Sequence, residues 1–177
     1  MNDHLRWVHW WTQPWWWADE QWWPDALRQL PRHRLASLAC AQHQSLAAAF
    51  DVSPCQPEAP SPLLQTLVES SVSQRLLILS LAQTMCNPRH EHGLSSEQHQ
   101  WCERTARALR PGQWLGIDGE SLGLLKVWTG TAVWERLRLQ FPPDRVMPVE
   151  GASASVDMPP FKRLDTFWQA VIWKGTL

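Results

Sequence analysis

The sequence predicts an all-α protein that folds as a single compact orthogonal helical domain over residues 1–177. Apolar residues recur at helical spacing along most of the chain, whereas the alternation that is typical of strands is hard to find. A length of 177 residues suits one domain with a sizeable core. We expect the tryptophan-rich start of the chain to pack on a leucine-rich central helix.

Prolines place the element boundaries in the first third of the chain. Pro14 and Pro24 each suit the first turn of a short helix, and residues 32–50 have the spacing of one long helix. Residues 51–62 are predicted to form a loop, because four prolines fall within nine residues there. A division into two domains at this loop is an alternative, although a first part of about 50 residues would need further support.

Helix caps and apolar spacing predict a series of helices in the rest of the chain. Ser61 is a candidate N-cap, and Ser95 with Gln98 has the pattern of a capping box. The predicted elements are the central helix 63–85, a helix 95–109, a helical stretch 121–140 with a possible break at its glycine, a flexible loop 142–160 and a last helix 161–173. The core residues expected from this spacing are Leu67, Leu76, Leu77, Leu81, Trp134, Leu137, Leu164 and Trp168.

Tryptophan is concentrated at the start of the chain. Eight of the 14 tryptophans lie within the first 23 residues, and the chain has no tyrosine. Trp15, Trp16 and Trp17 are consecutive, so one helix or strand cannot bury all three on one face. Tryptophan is also strongly enriched at the energetic centres of protein interfaces. We therefore expect at least one of these three rings to be exposed or held in an interface.

Composition argues against several classes of partner. The 16 basic and 17 acidic residues give a net charge of −1, so we expect neither nucleic acid nor an anionic membrane as the main partner. Only 19% of the residues are charged, which suits a subunit of an assembly. We expect no secretory signal at the start and no membrane span. The four scattered cysteines are typical of the reducing cytoplasm.

The residues best suited to bind a metal are Cys86, His90, His92, His99 and Cys102. Their types suit zinc, but their spacings match no known finger or knuckle pattern. A zinc-stabilised regulator or a metal-dependent enzyme is therefore kept as an alternative function. The chain also lacks a nucleophile motif and a phosphate loop. We predict a non-enzymatic protein with no cofactor and no bound metal.

Two arginines stand in the most strongly patterned part of the sequence. Trp134, Leu137 and Phe141 share one face at helical spacing, which leaves Arg136 and Arg138 on other faces. One interpretation is an aromatic core with both arginines on a solvated flank. The other is a docking surface that carries the arginines, since arginine is favoured at interfaces.

The same part of the chain resembles a known family. Residues 133–142, VWERLRLQFP, resemble the VW-x-RLRL-x-FP signature of the SctK family of bacterial type III secretion, called HrpD in plant-pathogen systems. Residues 164–173, LDTFWQAVIW, look like the closing W-x-AV-x-W helix of that family. The resemblance covers residues 63–173. The segment 85–88, Met-Cys-Asn-Pro, departs from the family's glycine- and leucine-rich pattern, and the tryptophan-rich start has no counterpart in it.

The resemblance implies a cytosolic adaptor at the cytosolic face of the inner membrane. Such proteins link the inner-membrane ring, through a forkhead-associated domain, to the sorting platform that carries the ATPase complex. The implied partners are proteins of the secretion apparatus, and the membrane is reached only through them. A secretion chaperone or an effector is a further alternative. The helical pattern argues against a chaperone, and the tryptophan-rich start argues against an effector.

The family's motifs do not indicate which residues make these contacts. The candidates for partner binding therefore come from the residues themselves. They are Trp15, Trp16, Trp17, Arg136 and Arg138.

We predict that protein purified without chelators contains no stoichiometric zinc, because the cysteine and histidine spacings lack a coordination pattern. Elemental analysis of the purified chain measures this. About one zinc per chain, lost together with stability in a Cys86→Ser/Cys102→Ser double variant, would contradict the prediction.

Overall fold

The computed structural model describes residues 3–88, 93–115, 120–151 and 160–177. Within these residues the regular structure is helical and contains no strand, which confirms the all-α prediction. The α-helices are α1 (Asp3–Thr12), α2 (Asp25–Arg28), α3 (Arg32–Ala41), α4 (His43–Ala49), α5 (Pro62–Glu69), α6 (Val72–Cys86), α7 (Ser96–Leu109), α8 (Ser121–Thr129), α9 (Thr131–Leu137), α10 (Pro143–Gly151) and α11 (Phe161–Thr176). Short 3₁₀ turns cover Pro14–Trp17, Glu20–Trp22, Pro111–Gln113 and Arg138–Gln140. None of the described helices has the length and apolar character needed to cross a bilayer.

The chain divides into two compact units, each built from two stretches of sequence. Unit 1 contains Met1–Ala59 and Thr129–Gly151, and unit 2 contains Pro60–Trp128 and Ala152–Leu177. The prediction of a single domain over residues 1–177 stays a prediction. The first boundary falls inside the proline-rich loop, as in the two-domain alternative, and the second stretch supplies the support that the first one needs.

The tryptophan-rich start and the central helix α6 belong to different units. Unit 1 is instead organised around the start of the chain and the region of α9. Within that unit, Trp7 and Trp11 at the start of the chain form hydrogen bonds with the proline-rich segment and with α9. The packing of the tryptophan-rich start on the leucine-rich central helix therefore stays a prediction.

Capping serines set the helix boundaries in unit 2. The Ser61 side chain accepts from the Leu64 N–H at 3.2 Å, and Ser95 forms the predicted capping box with Gln98. The predicted central helix is two helices, because Ser71 begins α6 with a capping box of its own. Serine side chains compete for backbone hydrogen bonds and so favour such interruptions.

Other predicted boundaries differ from the structure for local reasons. The helix predicted over 32–50 breaks at Gln42, and Gly130 separates α8 from α9 at a φ of 74°, which favours glycine. Residues Pro143–Gly151 form α10, so the first part of the predicted loop 142–160 is helical. Proline suits the first helical position, where its missing N–H would have no helical acceptor. Residues 152–159 of that loop, and the predicted turn at 116–119, lie outside the described residues.

Unit 2 has its core where α6 packs against α11 and α7. Leu67, Leu81, Leu164 and Trp168 are buried as predicted. Leu76 is 38% exposed, which corrects its predicted core position. Its neighbour Leu77 is only half-buried. The helix α6 is therefore not buried on all sides, and its buried residues are Arg75, Ile78, Leu79, Leu81, Ala82, Thr84 and Met85.

Trp168 offers a direct test of this core. Its ring stacks on Trp128 at 5.9 Å and meets the Phe167 ring edge-on at 5.5 Å, and its side chain is fully buried. We predict that Trp168→Ala lowers the free energy of unfolding by about 3–5 kcal/mol, because a large cavity replaces the ring. Chemical denaturation followed by far-ultraviolet circular dichroism measures this value.

Trp173 is the matched control for that substitution, because it lies on the same helix and is 60% exposed. Trp173→Ala is expected to change the free energy of unfolding by no more than about 0.5 kcal/mol. Equal stability of the two variants would show that Trp168 is not part of the core.

Candidate protein-binding site

Three tryptophans of α1 form part of the interior of unit 1. Trp7, Trp10 and Trp11 recur at spacings of three and four residues, so they share one face of the helix. All three are buried, and the Trp7 and Trp10 rings lie 4.8 Å apart. This helix was missed by the sequence analysis, although its tryptophan spacing was a usable signal.

The proline-rich segment supplies backbone acceptors to this interior. The Trp7 indole N–H donates to the Glu58 carbonyl at 2.8 Å, and the Trp11 indole N–H donates to the Cys55 carbonyl at 3.1 Å. The carbonyls of a non-helical segment have no helical N–H donors, so other groups must donate to them. Buried indoles need acceptors for the same reason. The indoles of α1 therefore find acceptors, and the carbonyls of the proline-rich segment find donors, in the same two hydrogen bonds.

Arg136 joins three backbone segments of unit 1. Its Nε donates to the Trp11 carbonyl at 2.8 Å, its Nη1 to the Ala132 carbonyl at 2.7 Å and its Nη2 to the Ser53 carbonyl at 2.9 Å. The guanidinium lies 4.4 Å from the centre of the Trp11 ring. These groups compensate a cation that is only 2% exposed, because hydrogen bonds and a ring face replace its water.

Glu135 holds the same loop from another direction. Its carboxylate accepts from the Ser53 N–H at 2.8 Å and from the Ser53 hydroxyl at 3.2 Å. The carboxylate also lies 4.0 Å from Nη1 of Arg136. Successive residues of α9 thus fix both the N–H and the carbonyl of Ser53.

Arg138 stabilises the turn that follows α4. Its Nη2 donates to the Phe50 carbonyl at 2.9 Å and to the Asp51 carbonyl at 3.1 Å, and it lies 3.5 Å from the Asp51 carboxylate. Asp51 has a φ of 52°, in the left-handed region that follows many helices. A cation at this position also complements the negative end of the helix dipole. The guanidinium lies 5.0 Å from the centre of the Trp22 ring.

Both arginines are therefore interior residues, which corrects the sequence analysis. Arg136 and Arg138 are 2% and 6% exposed, so neither lies on a solvated flank or on a docking surface. The sequence pattern could not reveal this, because all but one of the carbonyls that accept from them belong to residues more than 80 positions away. A guanidinium with several donors is suited to gathering such distant acceptors.

The three consecutive tryptophans occupy different environments. The 3₁₀ turn Pro14–Trp17 places Trp15 in the core, where it is fully buried 6.3 Å from the Phe50 ring. Trp16 and Trp17 are half-buried. The Trp16 indole donates to the Gln13 side chain at 2.8 Å, and the Trp17 ring meets His9 edge-on at 5.0 Å. The three rings thus do not all point inward.

Two further half-buried tryptophans belong to the same surface class, and we refer to Trp16, Trp17, Trp22 and Trp23 together as the surface tryptophans. The Trp22 indole donates to the Phe141 carbonyl at 2.8 Å. The Trp23 ring meets Phe50 edge-on at 5.1 Å and lies 6.1 Å from the Trp16 ring. Each ring is thus held on its inner side and retains partly exposed area. Sequence reasoning singled out only the consecutive run and missed Trp22 and Trp23.

The structure brings three of the five candidate metal ligands to one cavity. Cys86, His99 and Cys102 line one cavity of unit 2, with a volume of about 440 Å³. Across the described ranges, no group of three or more side chains is arranged to hold a metal ion. His90 and His92 lie outside the described residues.

Burial controls the ionisation of the two thiols. It raises the pKa of Cys86 to about 12. It also raises the pKa of Cys102 to about 11, against a smaller lowering by the charge of Lys174. Both groups are therefore neutral thiols at pH 7, and it is the thiolate that binds metals and reacts as a nucleophile.

Comparison of the chain with protein-family models, curated proteins and solved structures gives no match.

We predict that Arg136→Ala lowers the free energy of unfolding by about 3 kcal/mol, because one buried and two part-buried hydrogen bonds to backbone carbonyls are lost. Arg136→Lys is expected to be intermediate, since one ammonium cannot reproduce the planar fork of a guanidinium. Urea denaturation of each variant measures the loss. Arg145→Ala, at an exposed position of the same unit, is the control, and a loss for Arg136→Ala as small as for this control would contradict the prediction.

Thiol alkylation tests the environments of the cysteines. Cys40 and Cys55 are exposed, so they should react with iodoacetamide near pH 8, whereas Cys86 and Cys102 should react after unfolding. Mass spectrometry of alkylated peptides gives the order of reaction, and equal rates at all four cysteines would contradict it.

The raised pKa values of Cys86 and Cys102 also predict that the free energy of unfolding depends on pH. The contribution of the neutral thiols is complete below their unfolded-state pKa of about 8.5 and is lost as the pH rises toward 11–12.

Proposed function

We propose that the chain is a non-enzymatic adaptor subunit of the type III secretion sorting platform. It links the cytosolic part of the inner-membrane ring to the cytosolic export complex. It acts at the cytosolic face of the inner membrane and reaches the membrane only through protein partners. The observation that carries this proposal is the set of four surface tryptophans on unit 1.

The surface tryptophans have the properties of an interface anchor. Their rings combine a large apolar area with few rotatable bonds, and tryptophan dominates the energetic centres of many interfaces. Hydrogen bonds already hold the Trp16 and Trp22 indoles on the protein side. A ring that is fixed before binding loses little rotamer freedom when a partner covers it.

The family resemblance supports the same surface indirectly. The Leu139 carbonyl accepts from the Asp19 N–H at 2.7 Å, and the Phe141 carbonyl accepts from Trp22 at 2.8 Å. Both carbonyls belong to the segment 133–142 that resembles the SctK signature. In this chain the signature segment therefore holds the loop that presents the surface tryptophans. A partner surface of this kind suits an adaptor better than an enzyme.

Binding to two purified proteins tests this proposal. The probes are the cytosolic forkhead-associated domain of the ring protein and a sorting-platform subunit from the same secretion system. We predict that Trp16→Ala or Trp17→Ala weakens binding to at least one probe by about 2 kcal/mol, or roughly thirtyfold, because an anchoring ring is removed. Isothermal titration calorimetry with each variant measures the effect.

Trp173→Ala is the control for that experiment, because it removes an exposed tryptophan from unit 2. Circular dichroism confirms that each variant is folded. Failure of the parent chain to bind either probe would reject the adaptor role. Unchanged affinity in the Trp16 and Trp17 variants, with binding by the parent, would reject the surface tryptophans as the interface while leaving the role intact.

A further inference from the structure

Unit 2 contains a basic cleft that the adaptor proposal does not use. Its volume is about 630 Å³, and it lies between the C-terminal end of α7 and the first turns of α11. Four cationic side chains line it, and among its described lining residues none is acidic. These four are Arg107, Arg110, Lys162 and Arg163, and we call this site the basic cleft.

The carboxylates of the described residues leave most of this charge without a partner. Arg107 lies 3.6 Å from Glu103, but the two side chains are 80% and 60% exposed, so water and salt weaken their attraction. Within the described part of the chain, the other three cations have no carboxylate within ion-pair distance. All four cations are exposed, so water and salt also weaken their mutual repulsion, and an anion in the cleft would offset what remains.

The position of two of these cations strengthens the argument. Lys162 and Arg163 lie in the first turn of α11, which contains no acidic residue. The N-terminal end of a helix carries a positive partial charge, so cations there are unfavourable and anions are favourable. An anionic group bound in the basic cleft would relieve this repulsion as well as that between the side chains.

The walls of the cleft indicate the kind of anion. Trp114 is half-buried, and its indole N–H donates to the Leu109 carbonyl at 2.9 Å, so the ring itself remains as an apolar wall. Leu109 and Ala108 extend that wall. Guanidinium groups bind carboxylates in bidentate geometry, and the apolar wall suits aliphatic side chains.

We propose that the basic cleft binds an acidic segment of a partner protein, in which carboxylates alternate with apolar side chains. A nucleic acid is disfavoured, because the chain has a net charge of −1 and hence no broad positive field to attract a polyanion. This proposal rests on the cleft alone and does not require the secretion role.

Fluorescence anisotropy with a labelled peptide tests the proposal. The probe is a short peptide that alternates glutamate and aspartate with leucine, and its counterpart carries glutamine and asparagine instead. The full chain is expected to bind the acidic peptide and not the neutral one, with an affinity that falls as sodium chloride is raised. A Lys162→Glu/Arg163→Glu variant should bind about tenfold more weakly or worse.

A matched control separates the cleft from cations at a helix start in general. Arg32 and Arg34 are exposed cations in the first turn of α3, which also follows a proline, but neither lines the basic cleft. Arg32→Glu/Arg34→Glu changes the net charge equally and should leave the affinity unchanged. Lys162→Gln/Arg163→Gln serves as a milder second variant if the charge reversal prevents folding.

Three results would overturn the proposal. The first is equal binding of the acidic and neutral peptides, or no binding of either. The second is an equal loss of affinity in the α3 and cleft variants. The third is tighter binding of a single-stranded oligonucleotide, or of phosphatidylserine vesicles, lost in the cleft variants, because either result would assign the cleft to a phosphate ligand.

Discussion

Unit 1 depends on pairing backbone carbonyls with side-chain N–H groups. Its proline-rich segment has no helical hydrogen bonds, yet its carbonyls face an interior of tryptophan rings. Indole groups from α1 and the guanidinium of Arg136 provide the missing donors. These part-buried hydrogen bonds join the segment to the interior of unit 1 and so fix its path. The tryptophans of α1 and the proline-rich segment thus depend on each other for hydrogen-bond partners.

The same constraint explains why arginine occupies the centre of the unit. A lysine has a compact charge that needs dense solvation, whereas a guanidinium spreads its charge and presents donors in a plane. Arg136 uses that plane to reach three carbonyls and its face to lie against Trp11. Arg138 reaches two carbonyls with its Nη2 and lies against the Trp22 ring.

The two units offer chemically different surfaces. Unit 1 presents partly exposed aromatic rings, which favour an apolar partner surface with hydrogen-bonding edges. Unit 2 presents a cluster of cations beside an apolar wall, which favours carboxylates. The adaptor proposal uses the first surface, and the proposal of an acidic partner segment uses the second. The net charge of −1 does not reveal this difference, because acidic residues elsewhere offset the local excess of arginine and lysine.

The sequence alone determined the helical class and the helix starts at Ser61 and Ser95, because spacing and capping are local properties. It also indicated that Trp15, Trp16 and Trp17 could not share one buried face. The split of the central helix at Ser71 was also local but was missed. Only the tertiary structure decided that Leu76 is exposed, that Arg136 and Arg138 are buried and that the basic cleft exists. Each of these depends on residues distant in sequence, since burial and charge clustering are set by which helices meet, and periodicity within one helix carries no information about its neighbours.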